Sequence, residues 1–540
     1  MKRVGFPQIR LAAFLGALLL PSIALGREIV VAPSGGDFAS VAAGVGAAQA
    51  GDTVTVRAGI YNEAVSFGRS GTAAAFITLR GEPGAVLDGT GKSGQGITIN
   101  SRNYIRVAGL TVRNFIAAGT PMGISVSGSS SFIELRGNLI HNIENPNGNA
   151  HGIAFYGTAT TPMTNIVVEG NEIRNCRLGQ SEALVLNGNI DGFVVASNVV
   201  HDNDNIGIDF IGFEGTGPAA LDQARNGICA DNVVYNISSA SNPTYGGERS
   251  ADGIYVDGGR DIVIERNKVD NCDIGIEVAS EHLGKATSNI TVRDNFISRG
   301  YQGNILMGGY AANRGDARDV VVVNNTTYQA TSGEIELQYN CDRITIKNNI
   351  LYARAGQPYV SSGGGNNTNV AVGNNIYFGA GSASPGPYPD VLARFANPLL
   401  AGPPGDLRLQ AASPAIDAGI DLGLDALGQL LSGVRDVDGG PRVQGSAIDI
   451  GADEFAGGGS DADPPGPHRG PAHPITKGPR SGRAQAGASG VDRTYAVALP
   501  SWVSRDPSDA AAPRRICFPR PSTNPMATTP TAKCRTRITQ

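Results

Sequence analysis

From about Leu135 to Gly379 short apolar runs alternate with polar punctuation, and the alternation repeats. Successive units read LRGNLIHN (135–142), VEGNEIRN (168–175), VASNVVHD (195–202), CADNVVYN (229–236) and IERNKVDN (264–271). VRDNFISR (292–299), VVNNTTYQ (322–329), IKNNILYA (346–353) and VGNNIYFG (372–379) continue the series. The shared Asn falls at Asn138, Asn171, Asn198, Asn232, Asn267, Asn295, Asn325, Asn349 and Asn375, at intervals of 24 to 35 residues. A fixed period of this size marks a solenoid. A second element recurs between these units: HGIAFYG (151–157), EALVLNG (182–188), IGIDFIG (206–212), DGIYVDG (252–258), IGIEVAS (274–280), GNILMGG (303–309) and GEIELQY (333–339). Its alternation is that of strands with one buried face. Ile153, Leu184, Ile208, Ile254, Ile276, Ile305 and Ile335 should point inward. Ala154, Val185, Asp209, Tyr255, Glu277, Leu306 and Glu336 should stack outside in one column. The predicted fold is an all-β, right-handed parallel β-helix of about ten turns, with an Asn ladder satisfying backbone groups at one corner.

Either end departs from the repeat. Residues 27–100 read as an N-terminal cap and first turns, with a short helix from Val41 to Ala50 covering the open end, as solenoids require. The repeats occupy 101–380. Residues 381–456 form a C-terminal closing segment containing SPAIDAG (413–419) and RDVDGGPRVQGSAIDIGADEF (435–455). Residues 457–540, rich in Gly, Pro, Ser and Arg without periodicity, read as a disordered tail. Residues 1–26 read as a signal peptide, with Lys2, Arg3 and Arg10 ahead of an apolar run and Ala24-Leu25-Gly26 at a cleavage site. The expectation is export to the extracellular space, cell surface or periplasm, with no membrane span after cleavage.

Composition sharpens this picture modestly. Gly is 74 of 540 residues and charged residues only 17%, a profile of tight turns and short strands. The formal net charge of −5 conceals a basic tail, so the body is more acidic and nucleic acid is an unsuitable partner. A monomer is expected. Cys176, Cys229, Cys272 and Cys341 fall at or near apolar repeat positions and read as buried thiols rather than disulfides. Cys517 and Cys534 could pair in the tail.

Candidate chemistry concentrates between Ser250 and Lys285, where Asp252, Asp257, Asp273, Glu277 and Glu281 are followed by His282 and Lys285. Stacked strands bring such acids together, and crowded carboxylates repel unless a cation lies between them. Calcium, which takes six to eight oxygen ligands, is the natural candidate. ADGIYVDG followed by CDIGIEVAS resembles the calcium site of family 9 polysaccharide lyases, the pectate lyases of the pectin-lyase-like superfamily. The resemblance implies metal ligands at Asp252, Asp273 and Glu277, with Ile274 departing from the family pattern. It also implies a catalytic Lys where Asn304–Gly309 carries Leu306 instead. A base must then come from Lys285 or Arg314, with Tyr310 as proton donor. Asp209, Tyr255, Asp257, Glu281 and His282 are candidate substrate contacts.

The leading expectation is calcium-assisted β-elimination on a uronate-containing polysaccharide such as pectate, the metal acidifying the proton beside the carboxylate. A glycoside hydrolase using Asp209, Asp257 and Glu277 as acid and base remains open. So does a non-catalytic carbohydrate-binding or surface protein, for which Leu306 is the best argument. His151 and His201 read as polar loop residues, and Tyr156 as an outward ring able to face a sugar. Residues 212–225 should wall one side of a groove, bringing Glu214 or Arg225 near a ligand. The sequence carries no serine nucleophile elbow, zinc spacing or phosphate loop.

Overall fold

A computed structural model describes residues 26–364, 366–379, 384–424 and 429–456. The predicted tail, and the signal segment but for Gly26, lie outside the described residues. Among the described residues the chain winds as a right-handed parallel β-helix with three long faces. Sheet A has thirteen strands from Glu28–Val31 to Thr368–Gly373, and sheet B thirteen from Gly59–Tyr61 to Arg394–Phe395. Sheet C has eleven, from Val65–Ser66 to Val360–Ser362.

The helix therefore has about thirteen turns, not ten. Four turns precede the first ladder Asn, and the ladder position of the last of them is Leu110, whose backbone N–H donates to Asn138 Oδ1 at 3.1 Å. Without an Asn those turns carry no visible signature. From Asn138 onward each Asn Nδ2 donates to the next Oδ1 at 2.9–3.1 Å. The same Oδ1 accepts the backbone N–H of the preceding ladder residue, as from Asn232 to Asn267 at 3.0 Å. One amide thus satisfies a backbone donor and continues the chain of bonds, which an ionised carboxylate, having no proton to donate, cannot do in series.

Inside, Ile153, Leu184, Ile208, Ile254, Ile276, Ile305 and Ile335 join a single core running the length of the helix. Each buried side chain of this size contributes about 1.5–3 kcal/mol. The helix Val41–Ala47 covers the first turn. Ser40 caps it by accepting from Ala43 N at 3.2 Å, and Glu63 accepts from Val41 N at 2.7 Å and Ser40 Oγ at 2.7 Å. The thiols of Cys176, Cys229, Cys272 and Cys341 are free and buried, and burial pushes those of Cys176 and Cys341 up to about 12.

The segment after Leu399 closes the side of the helix rather than its end. Leu400, Leu407, Leu409, Ala415, Ile450 and Ala452 pack with Phe296, Ile350 and Ile376 beside sheet B. Asn374 and Asn348 donate to the carbonyls of Ala418 and Ile420, while Ala452 N donates to Thr326 Oγ1 and Lys268 pairs with Asp438. The segment runs back along turns already built. The physical reason is the apolar outer face of sheet B there, with Tyr328 and Tyr352 half-buried against it.

Candidate functional site

The outer face of sheet C places side chains in columns because neighbouring strands pair in register. Val185 faces Asp209, then Asp209 faces Tyr255, Tyr255 faces Glu277, Glu277 faces Leu306 and Leu306 faces Glu336. Steps of about 4.8 Å per strand set the spacing. Asp252 lies on one flank, in register with Ile274, and Asp257 on the other, in register with Ala279. Asp209, Asp252, Tyr255 and Glu277 are completely buried, and Asp257 nearly so. The acidic floor is enclosed, not a solvated face.

The strands Ile208–Ile211, Asp252–Asp257, Ile274–Ala279, Gly303–Met307 and Ile335–Leu337 carry Asp209, Asp252, Asp257, Glu277 and Glu336, and no Lys, Arg or His. Gln338, which the sequence reading passed over, reaches back two turns: its Nε2 donates to Glu277 Oε1 at 3.2 Å. Its own outward place two residues after Glu336 is the signal that could have found it.

Asp273 is placed differently from its companions. It stands at the leading corner, where its carboxylate accepts from Ser238 Oγ (2.8 Å), Ser239 N (2.7 Å), Ala251 N (3.2 Å) and Arg249 Nε (3.0 Å). These bonds fasten the loop 238–250 beside sheet C, and Arg249 in turn lies 4.2 Å over the Tyr301 ring. The oxygens of Asp273 are engaged by the protein itself, and among the described residues no group of three or more His, Cys, Asp or Glu side chains is placed to hold a metal ion.

The loop residues gather at the trailing edge. Glu281 N donates to Asp257 Oδ1 at 3.1 Å, Gly315 N to Ser280 O at 3.0 Å, and Asp316 N to Lys285 O at 2.8 Å, tying the loops 280–285 and 308–315 together. His282 is half-buried in the first loop. Lys285 Nζ sits 5.1 Å from the Phe213 ring, and the Arg314 guanidinium 4.6 Å from that of Tyr310. Both cations thus lie on aromatic faces. Glu214, in the 212–223 loop, accepts from Asn187 Nδ2 at 3.0 Å. Arg225 turns away to sheet A, bonding Asp191 and Asn189.

Upstream on the same face the structure adds a pair absent from the candidate list. His151 opens the strand His151–Gly157 and is buried; it is not a loop residue. Its Nδ1 lies 3.1 Å from Glu182 O, and its Nε2 2.8 Å from the Tyr156 hydroxyl. A carbonyl only accepts, so Nδ1 carries the proton and Tyr156 donates to Nε2. Burial lowers His151 to about 4 and raises the Tyr156 hydroxyl, so both are neutral at neutral pH. His151, Ile206 and Asp252 share the first position of their aligned units, which is the signal that placed His151 here. His201 belongs elsewhere, stacked on Tyr235 outside sheet B and 2.6 Å from Asp202.

The architecture is that of a right-handed parallel β-helix, and the family described as "Right handed beta helix region" matches residues 242–385. The chain belongs to the family of the uncharacterized protein YwoF of Bacillus subtilis (strain 168). The two are 39% identical over 378 residues, spanning 65% of this chain and 80% of that protein. Among solved structures it is similar to the GH136 lacto-N-biosidase of Eubacterium ramulus, with a TM-score of 0.52 and 15% identity over 65% of this chain and 68% of the other. That likeness is one of fold. Pectate lyase Pel9A aligns at a TM-score of 0.40 and 14% identity, over 80% of this chain and 97% of its own. Among the described residues no helix is long and apolar enough to cross a membrane.

Proposed function

We propose that this chain is an exported enzyme that cleaves a polysaccharide laid across the outer face of sheet C, with carboxylates as acid and base. One observation carries the reading: four of five successive strands of that face bear Asp209, Asp252, Asp257, Glu277 and Glu336, and none of the five bears a basic side chain. Glycoside hydrolysis needs two carboxyl groups flanking the scissile bond, one protonating the leaving oxygen and the other activating water or attacking carbon. Asp209 and Glu277 flank Tyr255 along the column, and the Tyr255 ring would form the floor beneath the sugar between them. Gln338 orients Glu277 through their hydrogen bond.

Calcium-assisted β-elimination is the second reading, favoured by Asp252 and Glu277 lying on adjacent turns with Lys285 and Arg314 at the trailing edge. Asp252 and Glu277 would contribute oxygens to a calcium ion that acidifies the proton beside a uronate carboxylate, the remaining ligands coming from substrate and water; among the described residues no group of three or more such side chains is placed to hold a metal by itself. The products decide. New reducing ends without ultraviolet absorbance mean hydrolysis, unsaturated products absorbing in the ultraviolet mean elimination, and binding without turnover on neutral or acidic glycans sinks both.

A further inference from the structure

A pair of adjoining clefts lies at the corner where the chain leaves sheet B for sheet C, the first on the turns that lead into the Asp209 and Asp252 strands and the second on the turns before them. The first, of about 600 Å³, is lined by Asn142, Glu144, Asn175, Arg177, Asp204 and Ser238 among others. The second, of about 750 Å³, runs from Ile116 to Thr120 and from Glu144 to Asn149. Glu144 lines both, so they form one trough along the helix axis. Each cleft by itself has a volume in the range of small-ligand sites, about 300–1,000 Å³.

The corner is built from the sequence. The second Asn of each N-x-x-x-N unit takes the left-handed conformation, at Asn142 (φ 54°), Asn175 (φ 52°) and Asn236 (φ 53°), with Asp202 (φ 52°) in the equivalent place. Asn and Asp tolerate that region best among residues with a Cβ. Their polar side chains therefore recur once per turn along the trough, at steps of about 4.8 Å.

Asp204 marks the trough as a binding site. It is nine-tenths buried, and Oδ1 accepts from Leu178 N at 2.6 Å. Among the described residues Oδ2 accepts from nothing, and the same is true of Asn149 Oδ1 in the second cleft. Burying a carboxylate oxygen without a donor is costly, and a ligand donor would recover that cost. The charged groups facing Asp204 are Arg177 and Glu144.

The chemistry of the ligand follows by elimination. With Glu144, Asp202 and Asp204 against Arg177, an anion is repelled. A calcium ion wants six to eight oxygens, but Asp202 is engaged by His201 and Asn236, and Asn203 Oδ1 by Cys176 N. Too few donors remain. A neutral, hydroxyl-rich chain fits: hydroxyls donate to Asp204, Asn149 and Glu144, and exposed Ile116 offers an apolar face for sugar C–H groups. The loop 238–250, anchored by Asn242 Nδ2 to Gly179 O and Asp204 O, stands beside the trough.

We propose that the trough over Asn142, Glu144, Asn175 and Asp204 binds a neutral oligosaccharide, as a site separate from the acidic face of sheet C. The inference goes beyond the cleavage reading and does not depend on it. The test is calorimetric titration of the full chain with neutral β-1,4-linked gluco-, manno- and xylo-oligosaccharides. Asp204→Asn keeps the acceptor for Leu178 N and replaces Oδ2 with a donor. It should keep the parent melting temperature and lose at least tenfold in affinity, with Glu144→Gln weakening binding independently. The proposal is overturned if no neutral oligosaccharide binds, if Asp204→Asn binds undiminished, or if binding vanishes with a calcium chelator.

Discussion

Gln338 Nε2 donates to Glu277 Oε1 at 3.2 Å although the two residues stand two turns apart on sheet C. The bond fixes one carboxylate oxygen of Glu277. Glu277→Gln should lower turnover of the cognate glycan by about 10²–10⁴-fold, the usual worth of a positioned acid or base. Gln338→Ala should act more weakly, through the orientation of Glu277, and shift the pH profile rather than erase the activity. Rate measurements from pH 4 to 9 separate the two effects. Equal loss in both variants with an unchanged profile would assign Glu277 a structural role.

Asp390 ends the Asn ladder, and its removal should fray the helix from that end. Its carboxylate accepts from Asn374 N at 3.0 Å, Asn375 Nδ2 at 3.1 Å and the Tyr377 hydroxyl at 2.8 Å. Asp390→Ala leaves these buried donors without an acceptor, at about 1–3 kcal/mol for each. In a solenoid the loss stays with the nearest turns. Hydrogen exchange should therefore quicken at Thr368–Gly373 and Ile376–Gly379 while Ile133–Arg136 stays protected. Uniform loss of protection would mean that the ladder acts as one cooperative unit.

The ladder was legible because one residue type recurs at one place, and periodicity then fixed which Ile point inward. The first four turns were not, since they build the same geometry without Asn, and the count of turns fell short. Asp209, Tyr255 and Glu277 could be assigned to one column because strand register follows the alternation. Asp273 sits one residue before its strand, at a corner where the period of two gives no direction, and its engagement by Ser238, Ser239 and Arg249 depends on a loop folding back from 35 residues away. The lateral course of the closing segment was equally hidden, because no local pattern says which outer face an apolar segment will cover.

Stability should fall as pH rises from the acid side toward neutrality. Burial raises Glu334 from 4.5 to about 7, against bonds from Asn304 Nδ2 at 2.6 Å and Ala330 N at 3.1 Å. Between those values the folded chain holds a proton that the unfolded chain has released, so each pH unit costs about 1.4 kcal/mol. The contribution is greatest below pH 4.5 and gone above about 7. Burial raises Asp453 to about 7 and Glu454 to about 8, and these act in the same sense. Glu334→Gln should flatten the dependence of melting temperature on pH between 5 and 7. An unchanged slope would assign the whole effect to the closing segment.

Arg442 is the cation on which that closing segment turns. It is buried, and its Nη2 donates to the carbonyls of Asp449 at 2.9 Å and Gly451 at 2.6 Å, and Nη1 to that of Ala452 at 3.2 Å. Its Nε lies 3.5 Å from both Asp294 Oδ1 on the helix and Glu454 Oε1 on the segment. Removing one partner from a buried charge cluster costs about 3–5 kcal/mol, because the remaining charges stay buried without compensation. Arg442→Met keeps the length of the side chain and removes the charge. It should loosen 435–455 from sheet B, exposing Tyr328 and Tyr352 to solvent, and the loss should grow as pH rises and Asp294 and Glu454 ionise. Exchange in the helix interior at Ile264, Ile290 and Val292 should change little, since those strands keep both neighbours. Mass-resolved hydrogen exchange distinguishes this local release from collapse of the whole helix. A single transition carrying sheet B and the closing segment together would show that the segment is part of the β-helix's cooperative unit rather than a clamp laid on its side.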